Sequence, residues 1–299
     1  REAYQAHYEE QFGLHIADVP LEFLTWSVTV STGFEEPAPP PAPPPRPGAC
    51  SCGLRPVPSF LHLDPRAPLW PRELDTIDSP PTSLWARGRV ELLARQPRVA
   101  VVGTRSPTPY GEKVAASLAH ALAEQGVVIV SGLARGIDAV AHQAALEAGG
   151  ATVAVLGCGV DRPWPEGALS ERLAREGCLL SEYVPGQAPR RHHFPWRNRL
   201  IAGLARAVVV VEAAQASGSL ITARWAADQG RAVFAVPGRI DQPMARGCHR
   251  LLREGAELCD SPADLLAALG LAVVEERPPD VPPTDPLLIA LHGETLTAD

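Results

Sequence analysis

Lysine is nearly absent from this 299-residue chain: Lys113 stands alone among 27 basic residues, and the rest are arginine. A GC-rich coding bias is sufficient cause, but the consequence is physical. Planar guanidinium forks match phosphate oxygens and stack on rings, where an ammonium offers a point charge. A disulfide framework is also lacking, because six cysteines do not staple a chain of this length. Cys158, Cys178 and Cys259 lie in or beside apolar runs and read as core thiols. Cys50 and Cys52 form a lone C-x-C without the second pair that a structural zinc site needs. No apolar run approaches the ~20 residues that span a bilayer, and no secretory leader is visible. A cytoplasmic protein without membrane insertion is expected. The G-x-G-x-x-G turn is missing too: Val99–Val102 runs into Gly103-Thr104-Arg105-Ser106-Pro107, which argues against a dinucleotide oxidoreductase. No cofactor or metal is expected.

The net charge of −7 looks wrong for a partner of nucleic acid until it is divided along the chain. Residues 1–46 carry seven acids against two arginines, and residues 270–299 carry six against one. The middle retains 21 acids and 24 basic residues, so the working domain is mildly basic. Four segments are expected. Residues 1–48 form an extension ending in the Pro37–Pro47 polyproline spacer. Part of it (Tyr8, Gly13, Glu22 to Trp26) resembles the tail of hydantoinase-type proteins, which suggests a fusion or a mis-joined reading frame. Residues 49–97 read as an extended lead-in packing on the core, and 98–269 as the main domain. Residues 270–299 read as an acidic linker and the start of a module cut short.

From Arg98 onward the pattern is regular. Apolar β-rich runs fall at 99–102, 127–130, 152–156, 178–180, 207–211 and 232–236. Helical stretches at 111–125, 139–148, 168–176 and 219–229 lie between most of them. Continuous Val/Ile runs alternating with helices predict an α/β fold, a Rossmann-like parallel sheet with helices on both faces. Three runs end in glycine-punctuated turns: Gly103-Thr104-Arg105, Ser131–Asp138, and Ser217-Gly218-Ser219. Such a turn before a helix seats anions, since backbone amides approach the ligand and the arginines add permanent charge. Ligands on such sheets sit beyond the carboxyl ends of the strands, so one shared site is expected.

The segments that punctuate this pattern carry a family resemblance. They are Val102–Arg105, Tyr110-Gly111, Ser131–Asp138 with His142, Leu156–Gly159, Ser181–Tyr183, Phe194–Gly203, Glu212-Ala213, Ser217–Ala223 and Val236–Gly238. In this order, over residues 69–269, they resemble the DprA (Smf) family of DNA-processing proteins. The resemblance implies a Rossmann-like core that binds single-stranded DNA, dimerises, and delivers incoming DNA to the RecA recombinase during natural transformation. It implies no catalysed reaction. It also makes Leu287–Asp299 the opening of a winged-helix module. Two departures stand out: Trp196, where a basic residue is common, and Cys248-His249, in place of Thr-Asn.

The expected DNA contacts are Arg105, Ser131, Gly132, Arg135, Gly136, Phe194, Arg197, Asn198, Arg199, Gly218, Ser219 and Thr222. Arginines and turn amides would hold phosphates, while Phe194, and in a weaker reading Trp196, would stack on bases. The plainer reading makes the arginines salt-bridge partners of Glu182, Glu212 or Asp138, and the aromatics caps on the core. Asp138 and His142, four residues apart, share a helix face. They read as a helix-start carboxylate bonded to a packed histidine. The layout also resembles the lysine-decarboxylase-like phosphoribohydrolases, but their Pro-Gly-Gly-x-Gly-Thr-x-x-Glu turn is not met. Arg224 stands in Ser217–Arg224, and the catalytic glutamate has no counterpart. No nucleophilic serine is expected, because no base is nominated for one.

Overall fold

The unbroken apolar runs become fully buried strands in the computed structural model, which describes residues 60–271. The 1–48 extension, Cys50, Cys52 and residues 287–299 lie outside the described residues. Strands β3 (Arg98–Val102), β4 (Val128–Ser131), β5 (Thr152–Val155), β6 (Cys178–Ser181) and β7 (Ala207–Val210) are buried at every position. With β8 (Ala232–Ala235) and β9 (Glu257–Leu258) they pair in parallel throughout. The helices are α1 (Pro109–Glu124), α2 (Ile137–Glu147), α3 (Ala168–Glu176), α4 (His193–Leu204), α5 (Gly218–Asp228), α6 (Arg246–Arg253) and α7 (Pro262–Ala268).

Burial on both faces explains the missing polar alternation. One face carries Val99, Val101, Ile129 and Val209, packed against Leu118 and Leu122 of α1, Ala141 of α2 and Leu265 of α7. The intervening Ala100, Val130 and Val208 point the other way, as the two-residue strand period requires, and are equally buried. On that side α4 and α5 contribute the buried Leu200, Leu204 and Trp225.

The lead-in does more than pack on the core. β1 (Leu61–Leu63) pairs antiparallel with β2 (Leu84–Gly88), and β2 pairs antiparallel with β6, so the parallel array is extended into a mixed sheet. The order is β1-β2-β6-β5-β4-β3-β7-β8-β9. Between the two strands and after them lie short 3-10 turns, Arg72–Thr76 and Val90–Ala94. Arg98 ties this lead-in down. Its guanidinium, 1% exposed, donates from Nε to Leu204 O (2.8 Å) and from Nη1 to Leu93 O (2.5 Å). Nη2 lies 2.8 Å from Glu73 Oε2.

Asp138 and His142 do not bond to each other as expected. Asp138 folds back onto the turn before its helix, accepting from Gly132 N (3.1 Å) and Ala134 N (3.4 Å). Thr152 Oγ1 donates to Ile129 O (2.8 Å), so it accepts from His142 Nδ1 (2.7 Å), which fixes the Nδ1–H tautomer. Burial pushes the His142 pKa down to about 3, so the folded chain holds the ring neutral.

Two measurements follow. Arg98→Ala leaves two buried carbonyls without donors and should lower the unfolding free energy by about 3 kcal/mol in chemical denaturation. His142 protonates near pH 6.5 once unfolded, but only near 3 when folded. Between those values the unfolded chain binds the extra proton, so stability rises with pH across this window, by up to about 1.4 kcal/mol per unit. His142→Gln should remove that contribution, seen as a shallower pH dependence of the midpoint than in the unsubstituted chain.

Candidate nucleic-acid interface

β3 is where the sheet changes its direction of growth, with β4 to β6 laid down on one side of it and β7 to β9 on the other. In open α/β sheets the crevice beyond the carboxyl ends at such a switch is the place for a ligand. A cleft of about 930 Å³ lies there. Gly103 and Arg105 line it from the turn after β3, and Ala134 and Asp138 from the turn after β4. Phe194, Arg197 and Asn198 come from α4, and Gly218, Ser219 and Thr222 from the start of α5.

The first glycine turn is bonded both to the second and to the segment that leaves β7. Thr104 N donates to Glu212 O (2.7 Å) just after β7. The Glu212 carboxylate accepts from Thr108 N (2.9 Å) and Thr108 Oγ1 (2.6 Å) at the N-cap of α1. Ile137 N, opening α2, donates to Thr104 O (3.2 Å). Gly136 (φ 83°) makes this approach feasible: a Cβ there would stand 2.8 Å from the Arg105 carbonyl carbon. These bonds tie the first two turns to the end of β7, and the third turn lines the same cleft.

Within that cleft the expected contacts divide. Arg105 is exposed, with its guanidinium 5.9 Å from the Phe194 ring centroid, a cation–π arrangement at the cleft surface. Arg135 is exposed on the second turn beside the lining residue Ala134, and among the described residues it has no ion pair. At the α5 N-terminus, Ser217 Oγ accepts from Ser219 N (3.4 Å), the two hydroxyls lie 2.7 Å apart, and Gly218 is open to solvent. Asn198 Nδ2 reaches Gly218 O (3.4 Å), joining α4 to this seat.

Other expected contacts are scaffold. Ser131 is fully buried and donates to Val101 O (2.6 Å). Gly132 is buried beneath the Arg197 guanidinium, which fills the space of a side chain. The amides of Gly132 and Ala134 are taken by Asp138, so the second turn is not the open anion seat that its glycines suggested. Arg199 is set apart from the cleft. Its guanidinium, 2% exposed, makes a two-pronged pair with Glu182 (2.6 and 2.8 Å), donates to Ser79 O (3.0 Å), and lies 4.2 Å over the Trp196 ring. Trp196 packs edge-on to Trp225 at 6.4 Å, so the plainer reading of both residues holds in the geometry. The cause is α4. Arg197 and Arg199 both lie on the helix that begins at His193, and residues two apart on a helix point to nearly opposite sides.

Arg197 points inward from the same helix. Nη1 donates to Gly132 O (2.7 Å) and to Val155 O, the carbonyl ends of β4 and β5. Burial lowers its pKa to about 10, partly offset by Asp138, so it stays charged at neutral pH. Burial raises the Asp138 pKa, opposed by Arg197 and the turn amides. Among the lining residues outside the expected set are Arg191, just before α4, and Trp164, in the loop after β5. The signal for Trp164 was available, since that loop also leaves the carboxyl end of a strand.

Comparison with known proteins agrees with this geometry. Residues 62–270 match the model of the family described as DNA recombination-mediator protein A. The chain is similar to the putative DNA processing protein DprA of Mycobacterium tuberculosis, 52% identical over 205 residues, covering 66% of this chain and 53% of that protein. It is 46% identical to DprA of Streptococcus pneumoniae over 212 residues, 70% of this chain and 73% of the relative. The matched region is thus about half the length of the mycobacterial relative. Among solved structures, DprA from S. pneumoniae aligns with a TM-score of 0.67 at 45% identity, covering 70% of this chain and 74% of the other. DNA processing protein A from Helicobacter pylori, described for its single-stranded DNA binding mode, aligns at 0.64 with 32% identity, covering 70% and 95%. A mixed α/β sheet built around a switch-point cleft, matched over more than two thirds of its length, makes this chain a member of the DNA recombination-mediator protein A family, the DprA (Smf) proteins.

Proposed function

We propose that this chain is a non-catalytic binder of single-stranded DNA, whose backbone follows the switch-point cleft. The observation that carries the reading is the pairing of exposed Arg105 with the Phe194 ring, facing the open start of α5 across one cleft. Arg105 and Arg135 take phosphates on one wall, and the amide and hydroxyls of Gly218, Ser219 and Thr222 take one on the other. A base stacks on Phe194, whose packing beside two guanidiniums holds its ring in place. Arg197 and Arg199 act from behind, holding the strand ends and the α4 helix. Sequence-tolerant contacts of this kind suit a protein that shelters incoming DNA in the cytoplasm during natural transformation and presents it to RecA. The family's description as a recombination mediator and the binding mode of the H. pylori relative support this role. A homodimer would lengthen the track.

Anisotropy of a labelled thymidine oligonucleotide, titrated at rising salt, tests the reading. Arg105→Ala and Arg135→Ala should each weaken binding and reduce the slope of log affinity against log salt by about 0.7, one single-strand phosphate contact apiece. Arg199→Ala should instead lower the melting temperature while leaving that slope unchanged. Preference for duplex over single strand, or affinity indifferent to salt, overturns the proposal.

A further inference from the structure

Trp164 is the one tryptophan among the described residues that faces solvent, at 53% exposure, whereas Trp70 and Trp225 are buried and Trp85 and Trp196 half-buried. It lines the cleft beside Pro189 and Arg191. Among the described residues its indole has no hydrogen-bond or ring partner, so its exposed surface is left free by the fold. Yet the loop that presents it is heavily tethered. Cys158 Sγ donates to Arg162 O (3.0 Å), and Arg162 N donates to Gly159 O (2.9 Å). Asp161 accepts from Gly186 N at 2.8 and 2.9 Å, and Gly159 N donates to Gln187 O (2.9 Å), which ties the loop to the one after β6. His193 Nδ1 lies 2.9 Å from Gly157 O, and a Cβ at Gly157 would meet Phe194 at 3.1 Å. The loop is therefore braced against the very turn of α4 that carries Phe194.

A large apolar ring held in water on a fixed support, in a cleft with three arginines, is arranged for a flat partner. We infer that Trp164 is a second base platform of this cleft, stacking on a base of the strand whose neighbouring base lies on Phe194. The inference rests on the single-strand reading above and adds to it. Because the loop is already tethered, little backbone entropy is lost when a base docks, and every base offers a π-face. The cleft then grips bases at two points and phosphates along its rim, so two classes of contact respond to different perturbations.

The test uses the full chain and a thymidine oligonucleotide. Trp164→Ala should weaken binding about tenfold with the salt slope unchanged, because a stacking partner and not a charge is lost. Trp164→Phe should restore affinity to within about threefold. In the unsubstituted chain the oligonucleotide should quench tryptophan fluorescence. That quench should largely vanish in Trp164→Phe, and an abasic deoxyribose-phosphate polymer should not produce it. Equal affinity of Trp164→Ala and the unsubstituted chain, a changed salt slope, or an equal quench in Trp164→Phe overturns the inference while leaving the single-strand reading intact. If the unsubstituted chain binds no single strand, the reading itself fails and this inference falls with it.

Discussion

The buried guanidinium of Arg197 is the constraint on which the cleft depends. Two strand ends, at Gly132 and Val155, present carbonyls that the parallel ladder leaves without partners at the sheet's edge. Water cannot reach them, and an unpaired buried carbonyl costs about 1–3 kcal/mol. One arginine from α4 satisfies both, and so draws the start of that helix down over the sheet. Phe194 and Asn198, one turn or less away, are thereby fixed at the cleft. The same charge requires a counterweight, and Asp138 supplies it while closing the turn after β4. A positive charge placed for structural reasons thus shapes the wall on which a polyanion would lie.

Rigidity of the rim follows from similar economy. Glu212 uses its backbone carbonyl for one turn and its carboxylate for the cap of α1, and Gly111 leaves the space that the carboxylate occupies. Gly136 lets the second turn press against the first. These bonds run across the sheet from β7 through β3 to β4. Residues more than a hundred apart in sequence, such as Thr108 and Glu212, are held at hydrogen-bond distance without any ligand. A strand entering the cleft would meet a largely preformed surface, and little of its binding energy would go into ordering the protein.

Much of this was legible in the residues alone. The unbroken runs at 99–102, 152–156 and 207–211 admit only strands covered on both faces, and the glycine turns that follow could be placed at one edge of the sheet. What could not be read is direction. Arg197 and Arg199 look alike in sequence, and only the helix that begins at His193 separates them, turning one toward two carbonyls and the other toward Glu182. The lead-in was hidden for another reason: Leu84–Gly88 is short, carries an arginine and a tryptophan, and becomes a strand only because the edge of β6 offers it partners. Tertiary pairing of that kind leaves little trace in local pattern.

The carboxylate of Asp138 sits where a phosphate-cradling loop would offer its amides to a nucleotide. A free mononucleotide would find no amide cradle in that turn, and under the proposed reading its one phosphate would gain only a rim contact. A polymer is different, since each residue it threads adds a weak attachment at high effective concentration. On the single-strand reading proposed above, the cleft would therefore discriminate by length, favouring long chains over single nucleotides.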